Sequence, residues 1–292
     1  MKNHYFWIYK IKNTYSRLDL TNHNSMKKAL YITTIILFAI GFSSCGGNKE
    51  KKKGEMSFVI EGTFEDAAGK MLYIEEMTAD NGAQFCDSIP CDSKGHFKYE
   101  GHMTYQTFFN LHCSEYDYIV LLPNDGEKVE LSGKFGQLGV TYLVNGSPES
   151  RLMWQIQSYI NEANDVIAGI AQQDKHNKST LSEAEYQRAH EVTDSIFISE
   201  RNLIHQMFLN FITDNSGSLS TLYALDAPFN HKYRVFYAES DFEVFEQVLE
   251  GLNEKIPDNP HTQYFRTRVE RARSERALAQ QQQQPGQEII IE

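Results

Sequence analysis

Cysteine, histidine and carboxylate side chains carry much of protein chemistry, and in these 292 residues the first two are sparse: four cysteines and ten histidines. A thiol–disulfide centre needs two thiols within one helical turn, so that a helix N-terminus stabilises the attacking thiolate and a resolving thiol stands ready. Cys86 and Cys91 stand five apart in an alternating stretch beside Pro90. Along an extended strand that is roughly 16 Å, far beyond bridging distance. Cys113 can pair with either across a sheet, or all three can stay as buried thiols. His102, His112 and Cys113 are the nearest approach to a zinc site, and no pair among them has tight ligand spacing. His190 with Asp194, and Glu191 with Ser195, lie one turn apart as ordinary helix-surface residues do. No Gly-x-Ser-x-Gly, phosphate-binding glycine loop or His-Glu-x-x-His occurs. The expectation is a chain without catalytic residues, metal or cofactor.

Cys45 belongs to a different pattern. Met26 is followed by Lys27 and Lys28, an apolar run from Ala29 to Ile40, and Phe42-Ser43-Ser44-Cys45. The run is about 12 residues, short of the roughly 20 that cross a bilayer, and its flanks are those of a secretory signal. The segment resembles the lipobox of bacterial lipoproteins, with Phe42 in place of the usual Leu. The resemblance implies cleavage before Cys45, lipidation of its sulfur and anchoring by several acyl chains. Gly46 follows the cysteine, with no Asp in the position that retains such proteins at the inner membrane, so the implied address is the outer membrane, on either face. Residues 45–55 read as a solvated tether and 26–44 as the signal peptide. Residues 1–25, with "YFWIYKIK" interrupted by charge, read as an over-extended gene start ahead of a true start at Met26. In such an oxidising compartment Cys86, Cys91 and Cys113 allow at most one internal disulfide.

Charge excludes one class of partner. The chain has 28 Lys and Arg against 39 Asp and Glu, a formal −11. The part before Cys45 holds mostly cations, so the cleaved chain is more acidic still, unlike a nucleic-acid binder with its basic face. The expected partners are the membrane, through Cys45, and another envelope protein.

The elements that must position these residues fall into two halves. From 56 to 147 the pattern alternates: "SFVIEGTF", "KMLYIEEM", "AQFCDSIP", "HFKYEGHM", "TFFNLHCS", "YDYIVLLP", "EKVELSGKF" and "GVTYLVNG", separated by turn formers such as Ala68-Gly69, Asn81-Gly82 and Asn124-Asp125-Gly126. Eight short strands predict an antiparallel β-sandwich-like module. In one of them Phe97 and Tyr99 face one way while His96, Lys98 and Glu100 face the other.

From 148 to 280 the period becomes helical. Ser147 is placed as a cap and Pro148 in the first turn, followed by a stripe of Leu152, Ile156, Tyr159, Ile160, Ala163, Val166, Ile167 and Ile170. "QQDKHNKST" reads as a polar connection. Ser182 and Glu185 form a capping box for a second long helix with Tyr186, Ala189, Ile196, Leu203, Met207 and Phe211 inward, ended by residues 215–218. A short helix carries Leu222 and Leu225, and Ser240 with Glu243 caps another bearing Phe242, Phe245, Val248, Leu249 and Leu252. A last helix spans about His261 to Gln280. Its five arginines read as a solvated face with weak pairs, Arg266–Glu270 and Arg271–Glu275, in preference to a docking surface for acidic lipid. Residues 281–292 are a low-complexity tail that turns β-prone at its end. The predicted fold class is therefore α+β.

"FVIEGTF", "DSIPCDSKGHFKYEG", "IVLLPNDGEKVELSG", "YLVNGSPES", "NSGSLSTLYAL", "DFEVFEQVLEGL" and "IPDNPHTQYF" together, over about 56–273, resemble a domain-of-unknown-function family. That family forms the N-terminal region of Gram-negative thioredoxin-like lipoproteins of the thiol–disulfide oxidoreductase type. It implies a β-rich module, a helical segment and then a thioredoxin fold, whose Trp-Cys-x-x-Cys has no counterpart in this chain. Asp87-Ser88 matches a recurring Asp-Ser pair of the family, read as a hydrogen-bonding feature of a strand end or turn. The resemblance implies a non-catalytic envelope module that binds, senses or scaffolds. The alternative is a truncated thiol–disulfide oxidoreductase whose thioredoxin domain is missing from the chain.

Overall fold

The computed structural model describes residues 55–80, 82–229 and 233–282. The expected start at Met26, the signal peptide, Cys45, the tether up to Gly54 and the tail from residue 283 lie outside them. Eight strands come first: β1 Met56–Glu65, β2 Met71–Met77, β3 Ala83–Pro90, β4 His96–Met103, β5 Phe109–Ser114, β6 Asp117–Leu121, β7 Lys128–Lys134 and β8 Leu143–Asn145. They form two four-stranded sheets, β4-β1-β7-β8 (sheet A) and β3-β2-β5-β6 (sheet B). Every pairing is antiparallel except β1 with β7, which run parallel.

Alternation explains the sandwich. Phe58, Ile60 and Phe64 of β1 face Leu72 and Ile74 of β2 and Leu111 of β5 in one buried cluster, and the Phe58 and Phe109 rings meet at 4.7 Å. The eighth predicted strand is only half a strand. Leu138–Thr141 is a single helical turn, α1, and pairing starts at Leu143. The turn is closed locally: Thr141 Oγ1 donates to Gln137 O at 2.8 Å and accepts from Lys134 N.

Five further helices follow: α2 Pro148–Thr180, α3 Glu183–Asp214, α4 Ser220–Leu225, α5 Phe242–Lys255 and α6 Pro260–Gln282. The fold is α+β, as the two periodicities predict. Gly146 turns the chain from β8 into α2 with φ 78°, and a Cβ there would collide with Lys128 O, so only glycine serves. Ser147 then caps α2, its hydroxyl accepting from Ser150 N at 3.2 Å.

Four helical expectations are corrected. "QQDKHNKST" is not a connection; α2 runs through it to Thr180, because it contains no glycine or proline and Gln173 bonds to Asn177 one turn on. Ile156, Ile160 and Ala163 of α2 and Phe211 of α3 are buried as expected, but the other buried apolar residues are Met153 of α2 and Ile204, Phe208 and Ile212 of α3, while Leu203 is 49% exposed. Asp241, not Ser240, occupies the cap of α5, and its carboxylate is taken by Tyr237 N, Ser240 Oγ and His205 instead of by the helix. The arginines of α6 reach other elements. Arg268 grips Asp226 with two bonds of 2.8 and 3.1 Å, Arg273 reaches Glu246 and Arg276 lies 3.6 Å from Glu243.

The helices cover half of the outer face of sheet B. Phe108, Val120 and Leu122 from the β module share a second buried cluster with Met153, Ile156, Phe208 and Phe265. Hydrogen bonds seal the seam. Leu122 N donates to Ser150 Oγ (3.1 Å), and Asn259 Nδ2 donates to Gln106 O (2.9 Å). Thr107 Oγ1 donates to Met77 O at 2.9 Å, which spends its only proton, so the Thr107–His261 bond of 2.8 Å has His261 Nε2–H as donor.

Beyond Ala163 in α2, and before Ile204 in α3, no residue is fully buried. The outer halves of these helices therefore form a two-helix arm extending roughly 25 Å past the core, at 1.5 Å per residue. Its staple is polar: His190 Nδ1 lies 2.8 Å from Asp174 Oδ1, and the Tyr186 ring stacks on the imidazole at 5.4 Å.

Candidate functional site

The three thiols are placed apart. Cys86 is the extra residue of a bulge in β3, between Phe85 opposite Glu75 and Asp87 opposite Ile74. Cys113 is likewise the extra residue of a bulge in β5, between His112 opposite Tyr118 and Ser114 opposite Asp117. β2 runs between β3 and β5, so Cys86 and Cys113 stand two strand spacings apart, more than about 9 Å, where no bridge closes. Cys91 follows the far end of β3, and all three are free thiols. Burial pushes the thiols of Cys86 and Cys91 up. Cys113 is pushed up to about 11 by burial and by its bond to Asp117 Oδ2 at 2.9 Å. Such thiols are protonated and poorly nucleophilic at neutral pH.

The histidines do not converge either. His102 lies on β4 at the edge of sheet A, 4.0 Å from Glu55, whereas His112 lies on β5 of sheet B, 3.7 Å from Glu75. Among the described residues no group of three His, Cys, Asp or Glu could hold a metal ion. His190 and Asp194 form the ordinary exposed pair expected one turn apart, at 3.8 Å, while His190 Nδ1 also pairs across the arm with Asp174 as a cross-helix staple. The hydrogen bond to Asp174 raises the His190 pKa.

Asp87-Ser88 is corrected as well. The pair sits inside β3, not at its end, and Ser88 N donates to Asp87 Oδ1 at 2.7 Å. Asp87 stands opposite the inward-facing Ile74, so it places a carboxylate on the core side of an edge strand. Inward charges at sheet edges block pairing with another strand.

Two surface features remain. At one end of sheet A an open cleft of about 570 Å³ is lined by Thr63, Ser132, Thr141, Lys94, Lys134 and Asp66, among others. Asp66 holds φ 61° and lies 3.5 Å from Lys134 Nζ, so charge in the cleft is already matched in part. On sheet B, the half of the outer face left open by the helices carries Met71, Tyr73 and Tyr118, 37–40% exposed, with Phe85 at 58% and Tyr116 at 87%. Tyr73, His112 and Tyr118 are direct partners across β2, β5 and β6, and the first two rings lie 5.6 Å apart.

Alternation alone does not single out this open strip. Its signal was present in "KMLYIEEM", where apolar or aromatic residues occupy both parities of one strand: Leu72 and Ile74 inward, Met71 and Tyr73 outward. His261 carries no signal in the residues around it. It is 6% exposed, lies edge-on to Phe108 at 5.2 Å, and burial lowers its pKa to about 4, so it is a neutral keystone of the seam. A scan against protein-family models finds no match to this chain, and a search of curated proteins finds none either.

Proposed function

We propose that this chain is a non-catalytic cell-envelope lipoprotein that binds or scaffolds a partner, anchored to the outer membrane through Cys45. The observation that carries the reading is the order of residues 26–56: two lysines, an apolar run too short to span a bilayer, Phe42-Ser43-Ser44-Cys45, a Lys- and Gly-rich stretch, and then the first strand at Met56. At about 3.3 Å per residue that stretch would keep the body within roughly 35 Å of the lipid. The protonated, separated thiols of Cys86, Cys91 and Cys113 support a role outside thiol exchange, and the resemblance to the N-terminal region of thioredoxin-like lipoproteins supports an accessory one. Radiolabelled palmitate is expected to enter the protein but not its Cys45→Ala form, which should leave the membrane fraction. Absence of label, with both forms fractionating alike, would sink the anchor.

The same resemblance favours a second reading, a truncated thiol–disulfide oxidoreductase. An in-register Trp-Cys-x-x-Cys within about a hundred codons downstream would establish it.

A further inference from the structure

The open half of the outer face of sheet B continues a surface that this molecule already uses for helix packing. Met77, Phe108, Val120 and Leu122 lie under the helical layer, and farther along the same strands stand Tyr73 and Tyr118, 37% and 40% exposed, flanking a mostly buried His112. Phe85, Met71 and Tyr116 widen the strip. Contiguous exposed apolar surface of this kind marks an interaction site, and a sheet face is normally completed by a second layer. The charged side chains around the strip are mainly acidic. Glu75 lies within it, and Glu115 is in the β5–β6 turn beside Tyr116. The nearby cation, Lys70, is drawn over the Phe135 ring at 4.5 Å. Tyrosine and phenylalanine faces beside carboxylates attract ammonium and guanidinium groups while their ring edges take aliphatic ones.

We propose that this strip docks a cationic amphipathic helix of a partner protein, laid beside α2 as a continuation of the helical layer, its apolar side chains on Tyr73, Phe85 and Tyr118 and its lysines or arginines toward Glu75 and Glu115. The proposal rests on the binding-module reading but not on lipidation. A failure of palmitate labelling leaves it standing, and its own failure leaves the anchor standing.

The test immobilises the full chain and measures binding of a helix-patterned leucine–lysine peptide of about 18 residues, some 27 Å long. The same peptide with glutamate for lysine, and a linear hexamer of N-acetylglucosamine, are the comparison probes. The expected result is saturable binding of the lysine peptide, weakened by salt. It should weaken at least tenfold in Tyr73→Ser/Phe85→Ser and less than twofold in Val140→Ser/Leu143→Ser. The latter pair removes apolar groups 76% and 56% exposed near the other sheet, which controls for general stickiness. Circular dichroism melts of both double variants should match the parent, since all four side chains are solvent-facing. Equal loss in both pairs, equal binding of the glutamate peptide, displacement by the sugar hexamer, self-association that depends on Tyr73 and Phe85, or no binding at millimolar peptide would each overturn the proposal.

Discussion

On the outside of sheet A stand Lys98, Glu100, Glu61, Lys128 and Glu130, joined in ion pairs of 2.7 to 3.3 Å. On the outside of sheet B stand Tyr73, His112 and Tyr118, and beyond them a helical layer. The inner faces of the two sheets are alike, Phe, Ile and Leu alternating every second residue, so the strand period alone does not tell them apart. What differs is the set of outward residues. A face of alternating charge satisfies itself in water, whereas a face of rings and methionine gains by being covered, at about 25 cal/mol per Å² of apolar surface buried. The helices have taken one half of that face.

The sharpest way to break the comparison is to attack the covered half. Leu122 is fully buried in the seam, and Leu122→Ala is expected to cost about 2–5 kcal/mol in urea unfolding. A cost below about 1 kcal/mol would mean that the helices sit on the sheet without packing into it.

A second experiment uses the seam's buried imidazole. The His261 pKa falls from 6.5 to about 4 on folding. The unfolded chain therefore binds the proton first as pH drops, and stability falls between about pH 6.5 and 4 and then levels. The loss is of the order of 3 kcal/mol. His261→Gln keeps an N–H for Thr107 and does not titrate. The difference between the two pH–stability curves should show this slope, and parallel curves would refute it.

The arm offers a smaller effect of opposite sign. Asp174 raises the His190 pKa, so the clasp is fully present below 6.5 and fades as pH rises through the higher folded value. Amide exchange in the outer halves of α2 and α3 should quicken over that rise in the parent chain and be indifferent to it in Asp174→Asn. Smallest of all, Lys98→Ala on the charged face should leave the urea midpoint within error of the parent's, since both partners of its ion pair are solvated.

The fold was legible where one period held for a whole element. All eight strands lie where alternation places them, apart from the helical turn at Leu138–Thr141, and Ser147 and Ser182 cap the helices they were expected to cap. What sequence missed was set by tertiary contact. Asp241 takes the cap position in place of Ser240, held there by His205 and Tyr237, which bind its carboxylate. Arg268 reaches across to Asp226 because its own helix offers no acid one turn away, only Tyr264, Phe265, Arg271 and Ala272, and the planar guanidinium takes the carboxylate with two bonds. Leu203 lost its inward place to Ile204 by one residue, a rotation that apolar neighbours on both sides of the stripe do not fix. For the candidate surface, local residue types reported what each strand carries, but not that Tyr73, His112 and Tyr118, up to 45 residues apart in the chain, would form one rung.

The carboxylate of Asp87 has a consequence for crowding. β3 is the free border of its sheet, and for copies confined side by side at a surface a bare border is an invitation to polymerise. A negative charge on the core side there, with Pro90 withholding an amide from the ladder, leaves an incoming strand with a desolvated anion to accommodate and a missing donor. Dense arrays of this protein should remain separate particles even though one side of each offers an open row of backbone groups.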